Sequence, residues 1–492
     1  MVYLQPVNIP RVRSLWLQEA LAVEPDAERV EPLVGSHATD VCIVGGGYTG
    51  LWTALRIRDL DPAIRVTILE ADVCGAGASG RNGGMALPWW TKAKRLLRVC
   101  GEDEGRFLLR ESVKAIDEIA AFCAEYGVDA KMRRDGQLQL ATTPLHLDSW
   151  RENLDLVDSL GMGTPIEPLS AEDAARQGGS TTYVGGIFER HGATVQPALL
   201  ARGLRRVALE RGVAIYEKTP VVRIGEGHPV RLHTPSGEVV ADKVVLATNA
   251  WSAAIPELRR HMIVVSSDMV ATAPIPDRLR EIGWTGGESI SDCRLMVHYL
   301  HVTHDARIAI GRGSGALAYL GRVTPVFDDS VTRARTVVDG MHKLYPALAD
   351  VPISHRWAGP IDRSRSGTLI FGRLKLNPNI HYGIGYSGTG VAQTVMGGKI
   401  LASSVLERVD EWSTSRLNQG PVVLYPPDPV RFFGGLVVRG VLSRTEEQEE
   451  NGLVPSAWAK RFSKIAYPYV PNRADRLLGA STPSKAEPGL RP

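Results

Sequence analysis

The pattern of apolar and polar positions changes character at Thr39. Before it lies a leader with five prolines or glycines and one short amphipathic piece, Leu15 to Leu21. After it, DVCIV reads as a buried strand, GGGYTG as a glycine turn, and LWTALRIRDL as a helix that stops at Asp61-Pro62. RVTILE is a second strand, ending in Glu70. A strand, turn, helix and strand of this size predict the start of a doubly wound α/β sheet.

Residues 105–126 carry helical periodicity, with Leu109, Val113, Ile116, Ala120 and Cys123 on one face, so Cys123 is expected to be a core residue. MRRDGQLQLA reads as a hairpin on Asp135-Gly136, and 197–212 as another helix. AIYEKTPVVRI, VRLHTPSGEVV and DKVVLATNA predict three short strands with a turn at Ser236-Gly237. Alternating strands follow at 263–273, 295–303 and 306–311. The last clear unit, NIHYGIGYSGTGVAQTVMGGKILASSVLE, is a strand, a glycine turn and a helix. Beyond Asp428 come apolar RFFGGLVVRGVL, expected to dock onto the body, acidic TEEQEE, and a Pro-rich tail expected to be disordered.

Composition narrows the class. A chain of 492 residues with 44% apolar and 23% charged residues is globular, long enough for two or three domains. A net charge of +3 is too mild to argue for nucleic acid or an anionic membrane, and no apolar run is long enough to span a bilayer. Five cysteines without a CxxC pair suggest neither disulfides nor zinc, and with no signal peptide visible a cytoplasmic protein is expected. Glycine is the unusual count: 50 residues, about one in ten.

Those glycines cluster where chemistry is expected. Gly45-x-Gly47-x-x-Gly50 sits between strand and helix, as a dinucleotide fingerprint requires. The first glycine makes the turn, the second admits a pyrophosphate, and the third packs helix on strand, leaving phosphates on the helix N-terminus. Glu70 follows Gly50 by twenty residues, placed for a ribose diol, and its charge disfavours NADP. Gly75 to Met85 is a second glycine-rich loop, and Gly385-Tyr386-Ser387-Gly388-Thr389-Gly390 a third. Two helix N-termini suit a cofactor with a pyrophosphate at one end and an electron-accepting ring at the other.

DVCIVGGGYTGL, ILEA, GASGRNGG, VVLATNAWS and GYSGTGVA…GGKILA together resemble the D-amino-acid oxidase family of FAD enzymes. SLWLQEA and GASGRNGG are most similar to its γ-glutamylputrescine oxidoreductase-like amine oxidoreductases. The resemblance implies a Rossmann-like FAD domain from separated segments (39–90, 180–260 and 355–410), interleaved with a mostly antiparallel substrate domain (91–179 and 261–354). Residues 1–38 remain a leader and 411–492 a C-terminal extension. By matching position, Gly45, Gly46, Gly47, Tyr48, Thr49 and Gly50 would hold the pyrophosphate, and Glu70 the adenosine ribose. Ala78, Ser79, Gly80 and Arg81, with Asn82, Gly83, Gly84 and Met85 beyond them, would line the flavin. Val221 would contact adenine through its backbone, and Ala247 and Trp251 would flank the cofactor. Gly388, Thr389, Gly390 and Val391 would face the pyrimidine edge of the ring.

Departures from the family matter too. No Cys lies beyond Cys293 and the first loop has no His, so noncovalent FAD is expected. Relatives hold a substrate carboxylate with a Lys after the third glycine turn or an Arg after WAG; here those positions are Ala392 and Ile361, with Arg363 and Arg365 as possible substitutes. Tyr299 and His301 share a strand face and, with Met85, are the candidate catalytic residues. His298, His301 and His304 alternate on a strand and are not expected to bind a metal.

The implied reaction is oxidation of the C–N bond of a primary or secondary amine by hydride transfer to flavin, the imine then hydrolysing. Molecular oxygen or an electron carrier would reoxidise the flavin. No lysine occurs between Lys243 and Lys343, so Arg294, Arg307, Arg312 or His301 would have to serve as the cation for oxygen. A D-amino-acid or aminophosphonate oxidase, an NAD-dependent dehydrogenase and a non-catalytic flavoprotein assembly factor are the competing readings.

Overall fold

The structure is a computed structural model, and it describes residues 2–3, 12–25, 30–147, 149–163, 166–313 and 315–466. The Pro-rich tail expected to be disordered lies outside these residues from 467 onward.

The chain builds two large sheets. At the heart of the first, five parallel strands run side by side: Ile380–Ile384, Gly237–Leu246, Gly35–Val44, Val66–Leu69 and Ala214–Tyr216. Their inner halves are continuously buried, as in a parallel sheet covered on both faces. Gly35–Val44 starts four residues before Thr39; its first half is polar and exposed, so periodicity could not find it. Gly237–Leu246 merges two expected strands. Its first half closes the Ser236-Gly237 hairpin on Val230–His233, and its second half runs parallel to Ile380–Ile384.

The second sheet has eight strands, all antiparallel except the pair Gln137–Ala141 and Ser289–Asp292. The hairpin expected at Asp135-Gly136 does not form. Gln137–Ala141 is an interior strand between Ser289–Asp292 and Gly185–Glu189, while Arg133 bridges to Thr194. Gly185–Glu189 and Ile353–Ser364 belong to this sheet, although their sequence neighbours on one side build the first.

Helix Tyr48–Leu60 opens from the first glycine turn and helix Gln393–Val405 follows the third, and the two pack together. Gly398 permits this approach, since a Cβ there would stand 2.8 Å from Trp52 Cβ. The long helix is Glu102–Glu125. Its buried face is turned from the expected one: Leu108, Ser112, Ala115, Ile119 and Phe122 join Leu109 and Ile116, while Val113, Ala120 and Cys123 are only half-buried.

The leader is part of the body rather than an appendage. Helix Leu15–Ala22 is capped by Ser14, whose hydroxyl also donates to the Gly80 carbonyl. Trp16 is buried against Trp357 and donates its indole N–H to the Asn82 carbonyl at 3.0 Å. At the other end of the chain, helix Val430–Glu450 docks as expected: Arg431 donates to the carbonyls of Arg259 and Met262, and buried Glu446 accepts from Met296 N–H and Arg312. No described helix is long and apolar enough to cross a membrane.

Emptying the Trp16 site should cost about 3–5 kcal/mol, the usual range for removing a buried large aromatic. Chemical denaturation of Trp16→Ala is expected to show this loss together with weaker FAD retention, because the same side chain holds the Asn82 backbone.

Candidate functional site

The three glycine segments meet at a cavity of about 430 Å³ lined by residues of both sheets. At the first turn Gly45 has φ +111°, and a Cβ would stand 2.6 Å from the Ala247 carbonyl oxygen. A Cβ on Gly50 would overlap the Gly45 carbonyl, so glycine there seats the helix directly on the strand end. The helix N-terminus thus opens on the cavity through Gly47, Tyr48 and Thr49, and Tyr48 N–H donates to Ser79 Oγ at 2.8 Å.

Glu70 lines the same end. One carboxylate oxygen accepts from Gly46 N–H at 2.7 Å, the other from Asp72 N–H at 2.9 Å. Burial pushes the carboxyl up to about 7 despite these donors. Behind it, Arg202 and Arg205 hold buried Glu217, which accepts from Cys74 N–H and so fixes the chain after Glu70.

The loop from Gly75 to Met85 is tied down by its own polar residues. Arg81 is buried and donates to the carbonyls of Ala76, Ala358 and Val12. Asn82 donates to the carbonyls of Ala78 and Ser79 and accepts from Gly84 N–H. Both residues reach the cavity wall, but their polar groups organise the loop. Trp357 completes the clamp by donating to the Arg81 carbonyl at 2.9 Å.

Under the third glycine turn, buried Asp362 accepts from Gly385 N–H, and Thr49 Oγ1 donates to Tyr386 Oη at 2.8 Å. Gly388, Thr389, Gly390 and Val391 line the cavity, while the regular helix begins only at Gln393.

The substrate side is a row set by strand register. Gln139 pairs with Ser291, Ser291 with Tyr299, and Tyr299 with Gly311, whose missing side chain leaves room for the Tyr299 ring. Tyr299 Oη lies 2.7 Å from Ser267 Oγ, which donates to the Arg312 carbonyl. The phenol therefore donates to Ser267 and keeps a lone pair, and burial raises its pKa above the usual value. Met85 lines the cavity from a short strand paired with Ala193–Thr194.

Five expected site residues do not line the cavity. Gly46 orients Glu70, Gly50 packs under Gly45, Gly80 accepts from Ser14, and Gly84 lies against Val195. His301 is the substantive correction. It shares the Tyr299 strand face, but the loop backbone divides them: Gly83 sits against Tyr299 and Gly84 against His301. His301 stacks on Trp16 with centroids 6.0 Å apart, and burial pushes its pKa down to about 4. His298 faces the other way, 2.8 Å from Asp292. The cations proposed for oxygen are engaged elsewhere as well: Arg294 with Asp292 and Glu450, Arg307 with Asp305, Arg312 with Glu446. Missed by sequence reasoning were Gln137, Gln139, Ser267, Ser291 and Asp362, whose convergence depends on register. The alternation in GQLQLA does put both glutamines on one face, but nothing local says what that face meets.

These residues fit FAD. Backbone is exposed where an extended ligand needs close approach: a Cβ on Gly47 would meet Ser79 Oγ at 2.9 Å, and one on Gly83 the Tyr299 ring at 2.7 Å. Trp251 Nε1 and Asp362 Oδ1, on two lining residues, are buried without a hydrogen-bond partner among the described residues.

Comparison with known proteins agrees. The family model described as FAD dependent oxidoreductase matches residues 40–404. The chain is 30% identical to gamma-glutamylputrescine oxidoreductase of Escherichia coli K12 over 370 residues, covering 75% of this chain and 83% of that protein. It is also 30% identical to the probable oxidoreductase OrdL of Haemophilus influenzae, covering 76% and 84%. The crystal structure of glycine oxidase from Geobacillus kaustophilus superposes with a TM-score of 0.63 at 20% identity, over 76% of this chain and 96% of that one.

Protonating Glu70 removes an acceptor that a ribose diol needs. Since its carboxyl sits near 7 before ligand binds, FAD affinity should fall as the pH drops from 8 to 6. Glu70→Gln should weaken binding by about tenfold or more, because an amide N–H₂ would oppose a backbone N–H, and should flatten the pH dependence. Fluorescence titration of apoprotein with FAD measures both.

Proposed function

From the premise that the chain belongs to the FAD dependent oxidoreductase family, we propose that it oxidises the C–N bond of a primary or secondary amine. FAD, held noncovalently, supplies the acceptor for a hydride from the carbon beside nitrogen. Noncovalent attachment is supported by the absence of any Cys or His among the described residues lining the cavity.

The neutral row Gln139, Ser291 and Tyr299 facing the glycine loop carries this reading. An amine N–H can donate to the free lone pair on Tyr299 Oη. No acid or imidazole stands in that row to hold the nitrogen proton, and Tyr299 stays a neutral phenol. The lining acids lie elsewhere: Glu70 and Asp72 at the first turn, Asp362 under the third. Such a site orients a neutral amine and excludes water, leaving the nitrogen lone pair to form the C=N bond as the hydride departs. Water then hydrolyses the imine to a carbonyl compound and the freed amine. Gamma-glutamylputrescine oxidoreductase, by its name, acts on an amine of this kind, which supports the class.

Ala392 is buried and Ile361 lines the cavity, so a carboxylate on the reacting carbon finds no cation at either position. A cytoplasmic setting fits five cysteines that are all free.

Anaerobic mixing of the holoenzyme with polyamines, γ-glutamyl amines, aminophosphonates and amino acids tests the proposal. Bleaching by one of the remote-substituted amines is expected, with glycine, sarcosine and D-alanine slow; no bleaching by any amine would sink it. Because the arginines near the substrate sheet are paired off, reoxidation by oxygen should be slower than by an artificial dye. Stopped-flow mixing of reduced enzyme with air-saturated buffer measures that rate, and reoxidation outpacing reduction would identify an oxidase instead.

A further inference from the structure

Beside the cavity, the Lys92 ammonium has no carboxylate partner among the described residues. Lys92 ends the short turn Trp90–Lys92, just before helix Ala93–Cys100. Its backbone is pinned, because Trp89, Trp90 and Ala93 are all in the core and Asn153 donates to the Thr91 carbonyl at 3.0 Å. The ammonium donates to Thr389 Oγ1, and both Thr389 and Thr91 line the cavity. Lys92 is thus one hydroxyl away from the ligand space, at the corner where the third glycine turn meets the cavity wall.

The charges that bear on it are both positive: Arg95 on the helix that follows it and Arg363 on strand Ile353–Ser364. From helix Arg151–Ser159, packed beside it, Glu152 is taken by Lys94. Thr389 offers only a neutral oxygen. Burial and the two guanidinium groups push Lys92 down to about 7, so the unliganded protein holds its ammonium only weakly at neutral pH. A half-buried lysine kept among cations is a poor structural device, but it is well suited to receive an anion.

Resting on the amine-oxidation reading above, we propose that Lys92, next to Thr389 at the cofactor edge, binds a carboxylate that the substrate carries away from the carbon being oxidised. The reacting end is served by Tyr299 and its neutral neighbours, and no cation stands there at Ala392 or Ile361. Lys92 lies instead by the glycine turn, so amine and carboxylate must sit at separate points of one molecule. The substrate class is therefore an ω-amino acid or a longer amine ending in a carboxylate.

The test compares 4-aminobutyrate, 5-aminovalerate and 6-aminohexanoate with their carboxamides, using holoenzyme. Anaerobic flavin reduction gives one readout, and calorimetric binding gives another that needs no turnover. Wild type should bind the best acid at least about tenfold more tightly than its amide. Lys92→Met and Lys92→Gln should abolish that preference by weakening acid binding far more than amide binding, which a merely structural lysine would not do; Lys92→Arg should keep part of it. An anion binds the protonated lysine, so the acid-over-amide ratio should be largest below pH 7 and decline above it. Equal binding of acid and amide by wild type, or a ratio unmoved by Lys92→Met, would overturn the inference and leave amine oxidation standing. Lys92-dependent acid binding without flavin reduction by any amine would do the reverse.

Discussion

The site depends on how one buried guanidinium is satisfied. Arg81 donates to carbonyls of its own loop, of the N-terminal segment at Val12 and of the second sheet at Ala358. A glycine-rich loop has little side-chain packing to hold it and loses much entropy when ordered. Hydrogen bonds from a charged donor contribute about 1.5–3 kcal/mol each, enough to offset that loss at one point. Burial lowers the Arg81 pKa only to about 10, so it remains charged at every working pH. Trp16 and Trp357 then seal the same backbone with indole N–H groups, and the loop becomes a rigid wall.

That wall also decides which titratable groups can act. Gly83 and Gly84 stand between Tyr299 and His301, so a residue with ordinary general-base chemistry is shut out and a phenol is left in. His301, neutral and stacked on Trp16, supports the N-terminal helix instead. Asp362, pushed up to about 7 by burial, ties the third turn to the second sheet through Gly385 N–H. Glu70 and Asp362 are thus committed to backbone donors beside glycine turns and Asp72 to Arg13, so the row at Tyr299 stays uncharged.

Much of this was legible in the chain. The first turn, Glu70 and the third turn follow from local spacing, because strand, glycine and helix are contiguous there. The substrate row was not, since Gln139, Ser291, Tyr299 and Gly311 come together only through the register of three consecutive strands with a fourth from far upstream. The pairing of Tyr299 with His301 failed for a related reason. Strand alternation places both on one face correctly but says nothing of a loop threading between them. Lys92 escaped notice because a carboxylate anchor was sought after the third glycine turn and after WAG, and a cation for oxygen on the second sheet, whereas the structure brings a lysine from the turn after the glycine loop.

The C-terminal helix explains why that sheet has no cation to offer. Helix Val430–Glu450 lays Glu446 and Glu450 against Arg312 and Arg294, while Asp292 takes the other side of Arg294. Removing Glu446 would leave the half-buried Arg312 guanidinium without its carboxylate, a costly state that favours reaching toward whatever anion is available. The acidic TEEQEE run is therefore more than a solvated end of helix. By holding these arginines with carboxylates of its own, it leaves a substrate anion to Lys92, the ammonium beside the third glycine turn.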